Sequence, residues 1–235
     1  MNLTSDEKKR GVVASSAGNH AQGVALSATL AGVKSTIVMP ENAPLTKVNA
    51  TIGYGANVIL KGEIYDDAYE HARALEKEHG YVFVHPYEDA HIIAGQGTIG
   101  LEIHEEVSDL DSVVIPIGGG GLISGISTVL KALNPTIKII GVQSDQASGM
   151  SQLFHKQSLD TQKKRISTIA DGIAIKTPSK IIYDNFISKN VDEVVTVSDD
   201  ELAEAMVFLL ERAKTLCEGS GAAAMAAAMN NNAMI

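Results

Sequence analysis

A single cysteine, Cys217, is the only thiol in this 235-residue chain. That excludes an internal disulfide and a multi-cysteine metal site, and a reducing, cytoplasmic setting becomes the default expectation. Positive charge is also short. Nineteen Lys and Arg stand against 28 Asp and Glu, for a net charge of −9, and no basic stripe appears anywhere. Such a chain is not built to hold nucleic acid through its phosphates. No apolar run approaches the roughly 18–20 residues of a membrane span. The richest, residues 222–229, is short and dominated by alanine. The opening MNLTSDEKKR is too polar and charged to begin a signal peptide. Tryptophan is absent, aromatics make up 4%, and no tandem repeat is evident.

What is present is a 45% hydrophobic composition, enough for a substantial core, and 21 glycines. The length suits one large domain or two small ones, at roughly 100–200 residues per domain. Short β-branched runs alternate with amphipathic helical stretches, the pattern of parallel sheets covered by helices. Strands are predicted at 11–14, 35–39, 57–60, 81–84, 112–117, 138–143 and 193–197, and helices at 19–30, 66–79, 97–107, 122–133 and 199–217. In the second helix Ala68, Ala72 and Leu75 share one stripe, leaving its charges to water. Ser198 with Glu201 three residues on reads as a capping box that starts the last of these helices. Pro40, Pro44, Pro86 and Pro135 punctuate the chain between elements. A boundary near residues 86–89 divides it, and with no flexible linker there two closely packed lobes are expected.

Two segments carry the chemistry. Ser15-Ser16-Ala17-Gly18-Asn19-His20-Ala21-Gln22-Gly23 follows a strand and opens a helix. Small residues let the backbone approach a ligand there, and the free N–H groups of a helix N-terminus suit a carboxylate or phosphate. An ordinary strand-to-helix turn with a capping serine is the plainer alternative. The second segment, Ile117-Gly118-Gly119-Gly120-Gly121-Leu122, again joins a strand to a helix. Four consecutive glycines cost more backbone entropy than any other tetrapeptide, and a backbone wrapped round a phosphate would explain that cost. A tight turn with several unusual dihedrals would explain it too. No Gly-Lys-Ser/Thr follows, which excludes a nucleotide P-loop, and the G-x-G-x-x-G spacing fails at Ile123 and Ser124.

These segments, with Thr168-Ile169-Ala170-Asp171-Gly172 and Glu218-Gly219-Ser220-Gly221-Ala222, occur in the order and spacing of a known family. Over nearly its whole length the chain resembles the threonine dehydratases (threonine ammonia-lyases), most closely the short catabolic form. They belong to the pyridoxal-phosphate fold type II group, which also contains serine racemase. The resemblance implies an α/β fold of two lobes, each an open, largely parallel sheet flanked by helices. It places a remnant of an N-terminal segment at 1–10, a small lobe at 11–88 and a large lobe at 89–235, with the cofactor in the cleft between lobes. It implies that main-chain N–H groups of Gly118, Gly119, Gly120, Gly121 and Leu122 hold the phosphate of pyridoxal 5′-phosphate. Asn19 would meet the phenolic oxygen of the ring, with Gly172 and Glu218 nearby, and Ser16, Gly18 and His20 would line the substrate-carboxylate pocket. Asp171 would close a turn with Gly172. A side chain at Gly120 is expected to obstruct the phosphate. The implied reaction converts L-threonine to 2-oxobutanoate, or L-serine to pyruvate, with release of ammonia. The partners implied are an amino-acid substrate and further copies of the chain in a homo-oligomer, with neither nucleic acid nor membrane.

The chain departs from the family's pattern at both ends. The lysine that binds the cofactor aldehyde sits in a Ser-Phe-Lys-x-Arg-Gly segment, and this sequence has none. Lys8-Lys9-Arg10-Gly11 imitates its end, but Glu7 stands where the family has an aromatic, so Lys8 reads as a solvated helix-end residue. The Ser-Gly-Gly-Asn strand that meets the pyridine nitrogen is also missing, and residues 229–235 read as a frayed tail. No catalytic residue is therefore assigned, the chain is expected to be truncated at both ends, and alone it is expected not to turn over. A serine-racemase-like enzyme and a non-catalytic cofactor- or amino-acid-binding remnant are the alternatives. Racemases of the group carry a serine where Ala17 stands. They also bind a divalent metal through acidic residues at the positions of Gln143 and Gly149. These three positions favour the dehydratase and leave no metal site expected.

Overall fold

The computed structural model describes residues 3–159 and 166–230. The chain forms two compact units, Met1–Asp89 and Ala90–Ile235.

The first unit is a four-stranded parallel sheet in the order β3-β2-β1-β4, with β1 at Val12–Ser15, β2 at Ser35–Met39, β3 at Asn57–Leu60 and β4 at Val82–Phe83. The register runs Val12↔Ser35 and Val12↔Val82 on the two sides of β1, and Thr36↔Asn57 beyond β2. Every residue of β1 and β2 is buried, as expected of central parallel strands covered on both faces. Side-chain alternation sorts them. Val12, Ala14, Ile37 and Met39 pack with α2 (Asn19–Leu30) and Val48 of α3 (Leu45–Gly53). Val13 and Val38 point the other way, onto Ala68, Ala72 and Leu75 of α4 (Tyr65–His79). A short helix α1 (Ser5–Arg10), closed by a Thr4–Glu7 capping box, precedes the sheet and ends at Lys8, Lys9 and Arg10.

The second unit begins with α5 (Ala90–Glu106) and holds a three-stranded parallel sheet, β5-β6-β7, from Ser112–Pro116, Lys138–Ser144 and Glu193–Val197. Between β5 and β6 runs α6 (Gly121–Leu133). After β6 come a 3₁₀ turn at Asp145–Ala147, α7 (Gly149–Phe154) and a second 3₁₀ turn at Asp171–Ile173. A helical stretch follows, α8 (Lys180–Ile182), a π turn at Tyr183–Ile187 and α9 (Ser188–Asn190), and leads into β7. After β7 come α10 (Asp199–Phe208), a π turn at Leu209–Ala213 and α11 (Gly219–Met229). Ile140, Val142 and Val197 share a core with Leu202 and Ala205 of α10 and with Ala222, Ala223, Ala226 and Ala227 of α11. On α6, Ile123, Ile126 and Leu130 are buried. A methyl group on Gly125 would run into the carbonyl of Ile93, so α5 and α6 touch backbone to backbone.

Beyond one-residue shifts at the ends of β1, β5, β6, α4 and α6, the structure departs from the sequence expectation in larger ways. The short helices α1, α7, α8 and α9 and the longer α11 were not among the predicted helices. The helix expected at 97–107 starts at Ala90, and α3 was not expected at all. The helix expected at 199–217 keeps helical form only to Phe208, widens into a π turn and stops at Lys214, whose φ is +56°. The strand expected at 81–84 shrinks to two paired residues. Of the tail at 229–235, residues 231–235 lie outside the described residues. No described helix is long and apolar enough to cross a membrane.

Candidate functional site

Both glycine-bearing segments lie where a parallel strand ends and a helix begins, the place at which open α/β sheets present ligand sites. Each belongs to its own unit.

In the first unit, β1 runs through Ser15 into Ser16, Ala17 and Gly18, and α2 starts at Asn19. The N–H of Ser16 continues the ladder by donating to the Val38 carbonyl at 3.2 Å. Ser16 Oγ then accepts the Gly18 N–H at 3.2 Å, folding the loop on itself. Gly18 is the N-cap and no side chain caps the helix, so the first-turn N–H groups of Asn19, His20 and Ala21 have no partner within it. The Asn19 side chain is exposed. His20 Nε2 lies 3.0 Å from the Val84 carbonyl. A carbonyl only accepts, so Nε2 carries the proton. Burial, seconded by nearby His85, holds the His20 pKa below its ordinary value against the Val84 bond and Asp89, leaving a neutral ring with its second nitrogen bare. The segment after β4 is fixed by His85, whose Nδ1 accepts the N–H groups of Tyr87 at 3.2 Å and Glu88 at 2.9 Å. Burial lowers the His85 pKa and pushes the Tyr87 hydroxyl up to about 12. Ser16, Gly18, Asn19 and His20 are thus gathered at one helix end.

In the second unit the cradle is entirely backbone. The N–H groups of Gly118, Gly119 and Gly120 take no hydrogen-bond partner among the described residues, and those of Gly121 and Leu122 open α6 without one. Gly120, the N-cap, has φ +94°. A methyl group there would meet Ile182 Cγ2 at 2.6 Å. This corrects the expectation that a side chain at Gly120 would obstruct a phosphate: its side-chain direction points into the core, onto Ile182. At Gly118 the built methyl group would lie 3.1 Å from Ile173 Cα and 3.4 Å from the Gly172 carbonyl. At Gly172 it would lie 2.8 Å from Ser220 Oγ and 3.4 Å from Glu218 Oε1. Gly118, Gly172 and Glu218 therefore converge, although 54 and 46 residues separate them in turn. Asp171 and Gly172 form a 3₁₀ turn.

Sequence reasoning passed over two contributors. Ser220, in the first turn of α11, is 8% exposed, and its Oγ is buried without a partner. It was visible only as a letter within the Glu218 motif. Asp199 opens α10 and also accepts the Ile169 N–H at 3.3 Å and the Thr168 hydroxyl. It thereby pins the Thr168–Gly172 segment. The capping box at Ser198 was legible, but this second task of its neighbour depends on residues 30 positions upstream.

A buried hydroxyl with no partner next to Gly172, and five unpartnered main-chain N–H groups leading into α6, call for an acceptor-rich ligand. The residues fit a phosphate and a polar ring beside it. No group of His, Cys, Asp and Glu able to hold a metal occurs among the described residues.

Parallel α/β sheets with an all-backbone anion cradle are the mark of enzymes that hold a phosphorylated ligand at a strand-to-helix turn. The chain belongs to the pyridoxal-phosphate dependent enzyme family, whose sequence profile matches residues 1–234. It is 50% identical over 228 residues to the L-threonine ammonia-lyase of Thermotoga maritima, covering 97% of this chain and 56% of that one. Among solved structures it resembles the processed form of threonine deaminase isoform 2 from Solanum lycopersicum. The TM-score is 0.89 at 36% identity, over 96% of this chain and 61% of that one. Maize serine racemase superposes with a TM-score of 0.90 at 35% identity, over 97% of this chain and 68% of that one. The chain thus spans little more than half the length of the Thermotoga relative.

Proposed function

We propose that this chain carries the cofactor- and substrate-binding parts of a dehydratase that converts L-threonine to 2-oxobutanoate, and L-serine to pyruvate, with release of ammonia. The backbone cradle at Gly118, Gly119, Gly120, Gly121 and Leu122, with the unpartnered Ser220 hydroxyl beside Gly172 and Glu218, carries the reading. The half-identity with an L-threonine ammonia-lyase across 97% of the chain supports it.

In this reading the cradle N–H groups hold the phosphate of pyridoxal 5′-phosphate, and Asn19, Gly172 and Glu218 border its ring. Bound there, the cofactor supplies an electron sink that makes the substrate's Cα–H acidic. The N–H end of α2, with Ser16, Gly18 and His20, receives the substrate carboxylate. Neutral His20 adds no positive charge; it tethers that helix end by donating to the Val84 carbonyl. Ala17, between Ser16 and Gly18, offers no O–H to return a proton to Cα, which favours elimination over racemisation. Gln143 and Gly149 offer no carboxylates for a metal. The complete enzyme is read as a homo-oligomer of the cytoplasm, in keeping with a lone cysteine.

The test joins this chain to the flanking N- and C-terminal segments of the Thermotoga relative, to supply what the 235 residues lack of that relative's length. L-threonine is expected to give 2-oxobutanoate, and L-serine to give pyruvate in excess of D-serine. The 235-residue chain alone is expected to give neither. An excess of D-serine would turn the reading to a racemase. Full cofactor loading of the joined chain with no product from either amino acid would overturn it.

A further inference from the structure

Gln143 is 1% exposed, near the end of the central strand β6. A buried primary amide is costly unless both of its ends find partners. Here both do, on different elements. Nε2 donates to the Ile117 carbonyl at 3.2 Å, and Oε1 accepts the Ser151 N–H at 2.8 Å, in the first turn of α7. Ile117 is the last residue before the four glycines. Its other attachments also come from β6: its N–H donates to the Val142 carbonyl at 2.7 Å, and its side chain lies over Gly141, where a methyl group would strike it. The carbonyl of Ile117 belongs to the same peptide unit as the Gly118 N–H, the first donor of the cradle. Holding one therefore sets the direction of the other.

We infer that Gln143 is a positioning residue for the phosphate cradle: its side-chain amide fixes the Ile117–Gly118 peptide plane and ties it to α7. The inference rests on the phosphate reading given above. The glycines that follow have no side chains with which to hold themselves, so the aim of their N–H groups comes from this clamp.

The test uses the 235-residue chain and two ligands, pyridoxamine 5′-phosphate and pyridoxamine. Neither has an aldehyde, so no lysine is needed, and the ratio of their affinities measures the contribution of the phosphate. Gln143→Leu removes both bonds. Gln143→Met keeps the length and bulk but has no N–H to donate to Ile117. Each is expected to lower the affinity ratio at least tenfold by calorimetry while a cooperative melt persists. A merely structural role would lower the melting temperature and leave the ratio alone. In the wild-type chain, pyridoxamine 5′-phosphate is expected to shift the Gln143 side-chain NH2 resonance, and this readout decides the matter if neither variant folds. Unchanged ratios in a folded variant, or an unmoved resonance, overturn the inference. Failure of the wild-type chain to prefer the phosphorylated ligand overturns instead the phosphate reading beneath it.

Discussion

The loop after β1 and the loop after β5 both carry the chain from the end of a parallel strand into a helix, and they are built on opposite plans. The first holds itself together: Ser16 Oγ takes the Gly18 N–H, and His20 reaches across to the Val84 carbonyl. The second contains no side-chain hydrogen-bonding group between Ile117 and Leu122, so every restraint comes from elsewhere. Gln143 and Gly141 hold its entry, Ile182 lies against Gly120, and α5 lies against the helix it opens. A loop that uses its own side chains spends donors on itself and can adjust. A loop without them keeps all its donors for a ligand and borrows its rigidity.

That contrast breaks most sharply at Gly120. Gly120→Val combines a left-handed backbone conformation with a clash against Ile182, and should cost the apo protein about 3–5 kcal/mol. Apo thermal melts check it. A variant that melts like the wild type would mean the loop does not depend on the packing around it.

A smaller effect separates ligand-directed groups from structural ones. Ser220→Ala removes a buried hydroxyl that has no partner, so apo stability should stay level or rise by up to about 1 kcal/mol. Affinity for pyridoxamine 5′-phosphate should nevertheless fall by roughly fivefold to tenfold, the worth of one hydrogen bond. Loss of stability without loss of affinity would assign Ser220 to the fold alone.

The smallest effect belongs to the first loop. His20 and His85 are both held below their ordinary value of 6.5, chiefly by burial. The unfolded chain therefore binds protons that the folded chain refuses. The stability involved is fully present above pH 6.5 and drains away as pH falls below it. Melting temperatures at pH 7.5 and 5.5 should differ in that direction, and the gap should narrow in the double variant His20→Asn, His85→Asn. An unaltered gap would place the pH sensitivity elsewhere.

Legibility followed the range of the forces involved. Strands β2, β3 and β7 and helix α2 could be read to the residue, because short β-branched runs and a small-residue helix stripe are local signals. Helix α3 escaped because Pro44 reads as loop punctuation, although it is the residue before the first turn. The first turns of α5 escaped because Gly95 looks like a breaker, so the helix was expected to begin only at Gly97. Gly97 and Gly100 in fact face Gly125, Ile126 and Val129 of α6. Both glycine loops were conspicuous, yet the reason for Gly120 lies 62 residues downstream in Ile182. Asp199 and Gln143 look like ordinary polar residues until their partners, 30 and 26 residues upstream, are in place.

One further consequence comes from the inner side of α11, where Ala222, Ala223, Ala226 and Ala227 are wholly buried. Methyl groups leave almost no bulk to trade between helix and sheet. In a leucine-lined contact, one swap of volume can be compensated by another, and the helix axis wanders by small steps as a lineage diverges. Alanine has no smaller partner except glycine, and anything larger pushes the whole rod outward. Because Glu218 and Ser220 ride on the end of that rod, their height above the sheet is set by the thickness of a methyl group, and any larger residue on that face would lift both.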